Sequence, residues 1–131
     1  MLNTLMIYGH GIDLVHVVRF LEMDDRRLDK IANRILTEIE YETFNTIEFF
    51  AKRTYVAKIW AAKEAISKAF NTGIRGDTVW KNMQIQNDQL GRPNVILLNE
   101  LDTKNVICYL SISHDGDYVM ASAILEHGYV H

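Results

Sequence analysis

Two carboxylates and a lysine, Asp13, Glu64 and Lys68, are the residues of this 131-residue chain best suited to chemistry at a phosphate. Asp13 ends the segment Gly11-Ile12-Asp13, while Glu64 and Lys68 stand four apart in Trp60-Ala61-Ala62-Lys63-Glu64-Ala65-Ile66-Ser67-Lys68-Ala69. Two carboxylates suit a hard cation such as Mg2+, which keeps several waters and takes further oxygens from substrate phosphates. Lys68, one helical turn beyond Glu64, would neutralise a phosphate oxygen. A third segment, Ser111-Ile112-Ser113-His114-Asp115, offers a histidine able to hydrogen-bond a phosphate or orient an incoming hydroxyl. Taken singly, each has an ordinary explanation. Asp13 also suits a strand-end turn, and Asp115-Gly116 suits a hairpin. Glu64 and Lys68 suit an exposed i,i+4 pair worth about 0.2–0.5 kcal/mol.

The elements that must position these residues are legible in the apolar periodicity. Residues 5–14 read as a strand interrupted by Gly9 and Gly11, with Asp13 near its end; glycines there permit a bulge or close backbone approach. From Val17 onward, apolar residues at three- and four-residue steps predict two short helices, and Thr37 with Glu40 has the form of a capping box. A long helix is expected over 47–70. Its Ala57, Ala61, Ala65 and Ala69 form one row, beside a second made of Val56, Trp60, Glu64 and Lys68. Glu64 is thus in line with packed residues, where a carboxylate needs a cation, a hydrogen bond or a proton. A loop over 71–77 follows, and then the period becomes alternating. Strands at 82–87 and 94–98 flank a turn at 88–93, and strands at 106–113 and 118–125 flank Asp115-Gly116. His114 shares its parity with Val106, Cys108, Leu110 and Ile112, which sets it where the core face meets the mouth of the hairpin. The fold class is α+β.

Nearly half the residues are apolar and a quarter are charged, with no repeat or linker, so one domain over 1–131 is expected. The lone cysteine, Cys108, leaves no internal disulfide and suits a reduced cytoplasmic setting. The short uncharged opening lacks the basic flank of a signal peptide and the length of a membrane span. The net charge of −3 is uneven, since residues 51–81 carry seven Lys/Arg against two acids. Such a stretch suits a compact polyanion or a solvated helix face. Without a motif or overall basic charge, no nucleic-acid partner is expected.

With all three stretches in this order and spacing, the chain resembles the holo-acyl-carrier-protein synthases, the small bacterial 4′-phosphopantetheinyl transferases, from about Ile7 to Glu126. The resemblance implies that Asp13 and Glu64 hold Mg2+, and that Lys68 and His114 act at the phosphates of coenzyme A. Asn71-Thr72-Gly73-Ile74 is similar to the family's Gly-Thr-Gly-Ile loop, so Asn71 and Gly73 are expected beside coenzyme A. Residues 88–93 resemble the family's Asp-x-x-Gly-Lys-Pro hairpin, with Arg92 replacing lysine. Arg92 and Pro93 are then expected beside the nucleotide of a neighbouring subunit, in a homotrimer with sites at subunit interfaces. The chain departs from the family at Asn71, which replaces a glycine, and at Ile59, which replaces an arginine. Arg53 and Lys63 are candidates to bind phosphate in that arginine's stead.

The activity implied is transfer of 4′-phosphopantetheine from coenzyme A to a serine of apo acyl carrier protein, in fatty acid biosynthesis, releasing adenosine 3′,5′-bisphosphate. Glu40, a metal-bound water and His114 are alternative acceptors of the serine proton. Arg19, Arg27 and Lys30 lie at helix-compatible steps, and the resemblance implies that they match the family's basic docking positions for an acidic carrier helix. Interspersed acids also allow a salt-bridged solvated face. The rival readings are a noncatalytic coenzyme A or carrier-protein binding module, a generic interaction domain, and a transferase serving a polyketide or peptide synthase carrier.

Overall fold

The central helix is buried on nearly every side, and the remaining elements are arranged around it. The computed structural model describes residues 6–128. In chain order the elements are β1 (Ile7–His16), α1 (Val18–Leu21), α2 (Asp25–Ile35), α3 (Glu38–Thr46), α4 (Lys52–Ala69), β2 (Met83–Asn87), β3 (Pro93–Leu97), β4 (Val106–Asp115) and β5 (Tyr118–His127). Short 3₁₀ turns occupy Phe49–Ala51, Trp80–Asn82 and Asn99–Lys104. The architecture is α+β, as the sequence implies.

An antiparallel sheet in the order β1-β5-β4 packs one face against α4, and β2 and β3 form a separate hairpin. Along the sheet Ile7 pairs with Glu126 and His16 with Tyr118, with the register shifting between Ile7 and Gly9. Both consequences expected of the glycines in β1 are therefore present. A methyl group added to Gly9 would sit 1.9 Å from the Ala69 carbonyl oxygen, and one added to Gly11 would sit 2.0 Å from that of Ala65. Only glycine lets the strand lie this close to the helix backbone.

Several boundaries differ from expectation. The strand extends to His16, which puts Asp13 inside it rather than near its end, because pairing with β5 continues to Tyr118. Leu5, at the expected start, lies outside the described residues. The long helix begins at Lys52 rather than 47, since Ile47 and Glu48 are extended (ψ 161° and 147°) and a 3₁₀ turn precedes it. The β4–β5 turn falls on Gly116 and Asp117, one residue later than expected, because Asp115 still pairs with Tyr118.

The capping box at Thr37 is present in full and has a second job. Glu40 Oε1 accepts from the Thr37 N–H at 2.8 Å and from Lys63 Nζ at 2.6 Å, while Oε2 accepts from the Ile85 N–H at 2.7 Å. Lys63 Nζ also donates to the Ile35 and Trp80 carbonyls at 2.6 and 2.9 Å, which satisfies all three ammonium protons. Both side chains are fully buried. Burial lowers the Lys63 pKa, and the Glu40 charge opposes that shift. This pair ties α4 to α3, to the end of α2 and to β2. A buried ion pair is costly to break from one side, because the remaining charge is left uncompensated. Lys63→Met is therefore expected to lower unfolding free energy by about 3–5 kcal/mol, measured by urea denaturation.

Candidate active site

β1 and α4 converge on one cluster. Asp13 shares its parity on β1 with buried Gly11 and Val15, so its side chain faces α4. Lys68 Nζ donates to Asp13 Oδ1 at 2.9 Å and to the Ile12 carbonyl at 3.1 Å. Glu64 lies one turn earlier on α4, half-buried. Burial, and then the Asp13 charge, push its carboxyl above the usual range, while Lys68 partly offsets both. Glu64 is thus the carboxylate in need of compensation that its place among packed residues implied.

Two neighbouring carboxylates, one of them resisting ionisation, form a donor set that fits a hard divalent cation. Among the described residues no group of three or more His, Cys, Asp or Glu side chains is arranged to hold a metal. A cation on Asp13 and Glu64 would therefore take its other ligands from water or phosphate, the habit of Mg2+.

His114 is not brought into this cluster. It pairs with Val119, which in turn pairs with Val15, so it lies on Asp13's face but two strands away, about 10 Å across the sheet. Its ring is exposed and has no hydrogen-bond partner among the described residues. Asn71 caps α4. At φ 63° it takes the left-handed conformation, its N–H donating to the Lys68 carbonyl and that of Thr72 to the Ser67 carbonyl. This is the Schellman arrangement, in which asparagine can stand for the usual glycine. The Gly73 N–H also donates to Ser67, so the amides of residues 71–73 point back at the helix rather than outward. Arg92 pairs with Asp88 of its own turn at 3.1 Å, and Pro93 opens β3 in the separate hairpin.

The basic residues divide. Arg19 and Arg27 line a groove of about 350 Å³ with Phe20, Met23, Ile31 and Trp60 as its apolar walls. Lys30 is exposed on α2 and does not line it. Neither Arg53 nor Lys63 compensates at the cluster for the aliphatic side chain of Ile59. Arg53 holds the Met23 carbonyl and, at 2.7 Å, Asp25, while Lys63 is locked to Glu40. Glu40, with both oxygens occupied in the core, is removed as a proton acceptor. Sequence reasoning missed the Lys63–Glu40 pair. Its signal was that Ile59 and Ser67, one turn to either side of Lys63, are a core aliphatic and a small residue.

Residues 9–123 match the family model of the 4′-phosphopantetheinyl transferase superfamily. The chain belongs to this superfamily. A holo-[acyl-carrier-protein] synthase from Streptococcus equi subsp. equi (strain 4047) is 43% identical over 121 residues, covering 92% of this chain and 98% of the relative. One from Geobacter sp. (strain M21) is 37% identical over 126 residues, covering 92% and 99%. The crystal structure of a holo-(acyl-carrier-protein) synthase from Bacillus anthracis str. Ames in complex with CoA (3′,5′-ADP) superposes with a TM-score of 0.81 at 35% identity, covering 94% of this chain and 99% of that one. The synthase of Neisseria meningitidis also gives 0.81, at 34% identity over 92% and 98%. The chain is accordingly a phosphopantetheinyl transferase of the holo-acyl-carrier-protein synthase type, with the fold of those enzymes.

The raised Glu64 pKa fixes the sign of a pH effect. The folded state holds this proton more tightly than the unfolded chain, so Glu64 costs stability as pH rises from the unfolded carboxylate range through its folded pKa. Without added cation, Glu64→Gln is expected to raise the melting temperature by about 2 °C at pH 8 and to leave it nearly unchanged at pH 4, by scanning calorimetry.

Proposed function

We propose that this transferase moves the 4′-phosphopantetheine arm of coenzyme A onto a serine hydroxyl of apo acyl carrier protein, with Mg2+ held by Asp13 and Glu64. The serine oxygen forms a new bond to the pantetheine-side phosphorus, the pyrophosphate P–O bond breaks, and adenosine 3′,5′-bisphosphate leaves with the electron pair. The observation that carries this reading is the Asp13, Glu64 and Lys68 cluster at the β1–α4 contact, in a chain of this superfamily. When bound, the cation supplies charge neutralisation at both phosphates. Asp13 and Glu64 orient it from two elements. Lys68, half-exposed beside Asp13, turns its ammonium to the leaving phosphate, where negative charge builds. Glu40 takes no part, and the serine proton passes to water beside the carboxylates. His114 orients phosphate or hydroxyl from the sheet end rather than acting as the base.

The Arg19 and Arg27 groove receives the carrier, its cations meeting an acidic helix and its apolar walls burying that helix's flank; Lys30 adds charge beyond the rim. The outer face of the β1-β5-β4 sheet exposes Ile12, Leu14, Ile107, Tyr109, Met120 and Ile124. An apolar face of this extent supports a homotrimer that covers it. Such an assembly gives Arg92 and Pro93, remote from the cluster in their own chain, a neighbouring site to serve. Among the described residues no helix is long and apolar enough to cross a membrane. The proposed setting is the cytoplasm, in fatty acid biosynthesis.

Intact-mass analysis of apo acyl carrier protein incubated with coenzyme A, Mg2+ and this protein tests the activity. A gain of one phosphopantetheine is expected, absent with Glu64→Ala or a chelator. No gain on acyl, polyketide or peptide carriers, while coenzyme A still binds, overturns the reading in favour of a binding module.

Docking makes a separate prediction. Arg19→Glu with Arg27→Glu is expected to lower kcat/KM for the apo carrier at least about tenfold and to flatten its dependence on salt, with KM for coenzyme A unchanged.

A further inference from the structure

We infer that Thr72 and Thr78 form a hydroxyl clasp that positions the loop after α4 for coenzyme A; this rests on the transferase reading above. After the Asn71 cap the chain runs to Thr78 with no regular element, through Gly73 (φ 67°) and Gly76 (φ 58°), both bordered by open space. A segment with two such glycines has many conformations to lose. Backbone bonds from Thr72 and Gly73 to Ser67 and from Thr78 to Arg75, with the Asn82 amide on the Asp77 carbonyl, hold its ends, and a pair of side chains joins them. Thr78 is almost fully buried, and its hydroxyl lies 2.7 Å from the Gly73 carbonyl, 2.6 Å from that of Arg75 and within hydrogen-bonding reach of the Thr72 hydroxyl. Thr72 Oγ1 lies 2.8 Å from the Gly73 carbonyl and 3.4 Å from that of Ser67.

The proton count makes the two hydroxyls a unit. Each carries one proton, and their mutual bond uses one of the two, so one proton remains for the carbonyls of Ser67, Gly73 and Arg75. Removing either hydroxyl takes a partner from the other. Through Thr72, whose own N–H holds the Ser67 carbonyl, the clasp ties the end of the loop to the last turn of α4, the turn from which Lys68 projects toward Asp13.

Both threonines also line a cavity of about 280 Å³, together with the rings of Tyr8 and Phe70 and the cationic chains of Arg75 and Lys104. The rings meet edge to face at 5.9 Å, and Lys104 shares its charge with Asp77 at 3.7 Å. Aromatic walls with cations at the rim suit a phosphorylated nucleotide. The clasp sets the position of the Arg75 segment relative to that wall. Neither threonine belongs to the Asp13, Glu64 and Lys68 cluster, so both are positioning residues.

The test uses the full chain and isosteric changes. Thr78→Val is expected to raise KM for coenzyme A and the Kd of adenosine 3′,5′-bisphosphate about tenfold, with kcat at saturating coenzyme A and KM for the apo carrier unchanged. Thr78→Ser restores the wild-type values. Thr72→Val, at an exposed position, gives a smaller loss, and the double variant is no worse than Thr78→Val alone. If Thr78→Val fails to fold, Thr72→Val decides. A nucleotide Kd within twofold of wild type in the folded variants, or losses that simply add, overturns the clasp. Failure of the wild-type protein to bind coenzyme A or modify any carrier would instead overturn the transferase reading.

Discussion

Everything at the candidate site depends on how closely β1 approaches α4. At Gly9 and Gly11 the strand backbone lies against the carbonyls of Ala69 and Ala65, a distance no side chain on the strand would tolerate. The alanine row on the helix makes the complementary concession, presenting backbone rather than bulk. The result is a helix and a strand held at backbone contact, so that a lysine on one reaches a carboxylate two residues past the glycine on the other. Larger residues at positions 9 and 11 would hold Asp13 away from Glu64 without altering either side chain.

Distance alone does not aim a helix. Consecutive residues on α4 point about 100° apart, so Lys63 and Glu64 face different surroundings. Lys63 is buried against Glu40, Ile35 and Trp80, with every proton satisfied. That fixed direction sets the rotation of the helix, and Glu64 is then turned toward β1. The adjacent charged residues divide the surroundings, Lys63 serving the core and Glu64 facing the candidate site. Arg53 contributes similarly at the start of α4, holding the turn between α1 and α2 that carries Met23 to the groove.

Much of this was legible in the residues. Thr37 and Glu40 announced the start of α3, alternation announced the four later strands, and the tolerance of asparagine for left-handed backbone explained how Asn71 ends α4. Local rules sufficed because each of these features is made within a few residues. What failed was long-range. Glu40 read as a cap or a proton acceptor and not as half of a buried ion pair, because the ammonium that completes its shell comes from a residue 23 positions away. Lys63 looked free for phosphate because two of its acceptors are backbone carbonyls that no side-chain pattern reveals. His114 was set correctly at the sheet end by parity, but parity says nothing of the two strand widths between it and Asp13. The helix start was misplaced because Ile47, Phe49 and Phe50 continue an apolar pattern through backbone that is not α-helical.

The order of strands also dictates when the site comes into being. Among the described residues β1 has β5 as its one strand neighbour, so the earliest element waits for the last. During synthesis, α4 is complete and Glu64 present long before any strand exists to pair with Asp13. Closing so long a loop is entropically costly and slow to find. A ribosome-bound chain short of β5 therefore holds β1 against α4 with no strand beside it. The strand that carries Asp13 stays without a sheet partner until β5 has been made.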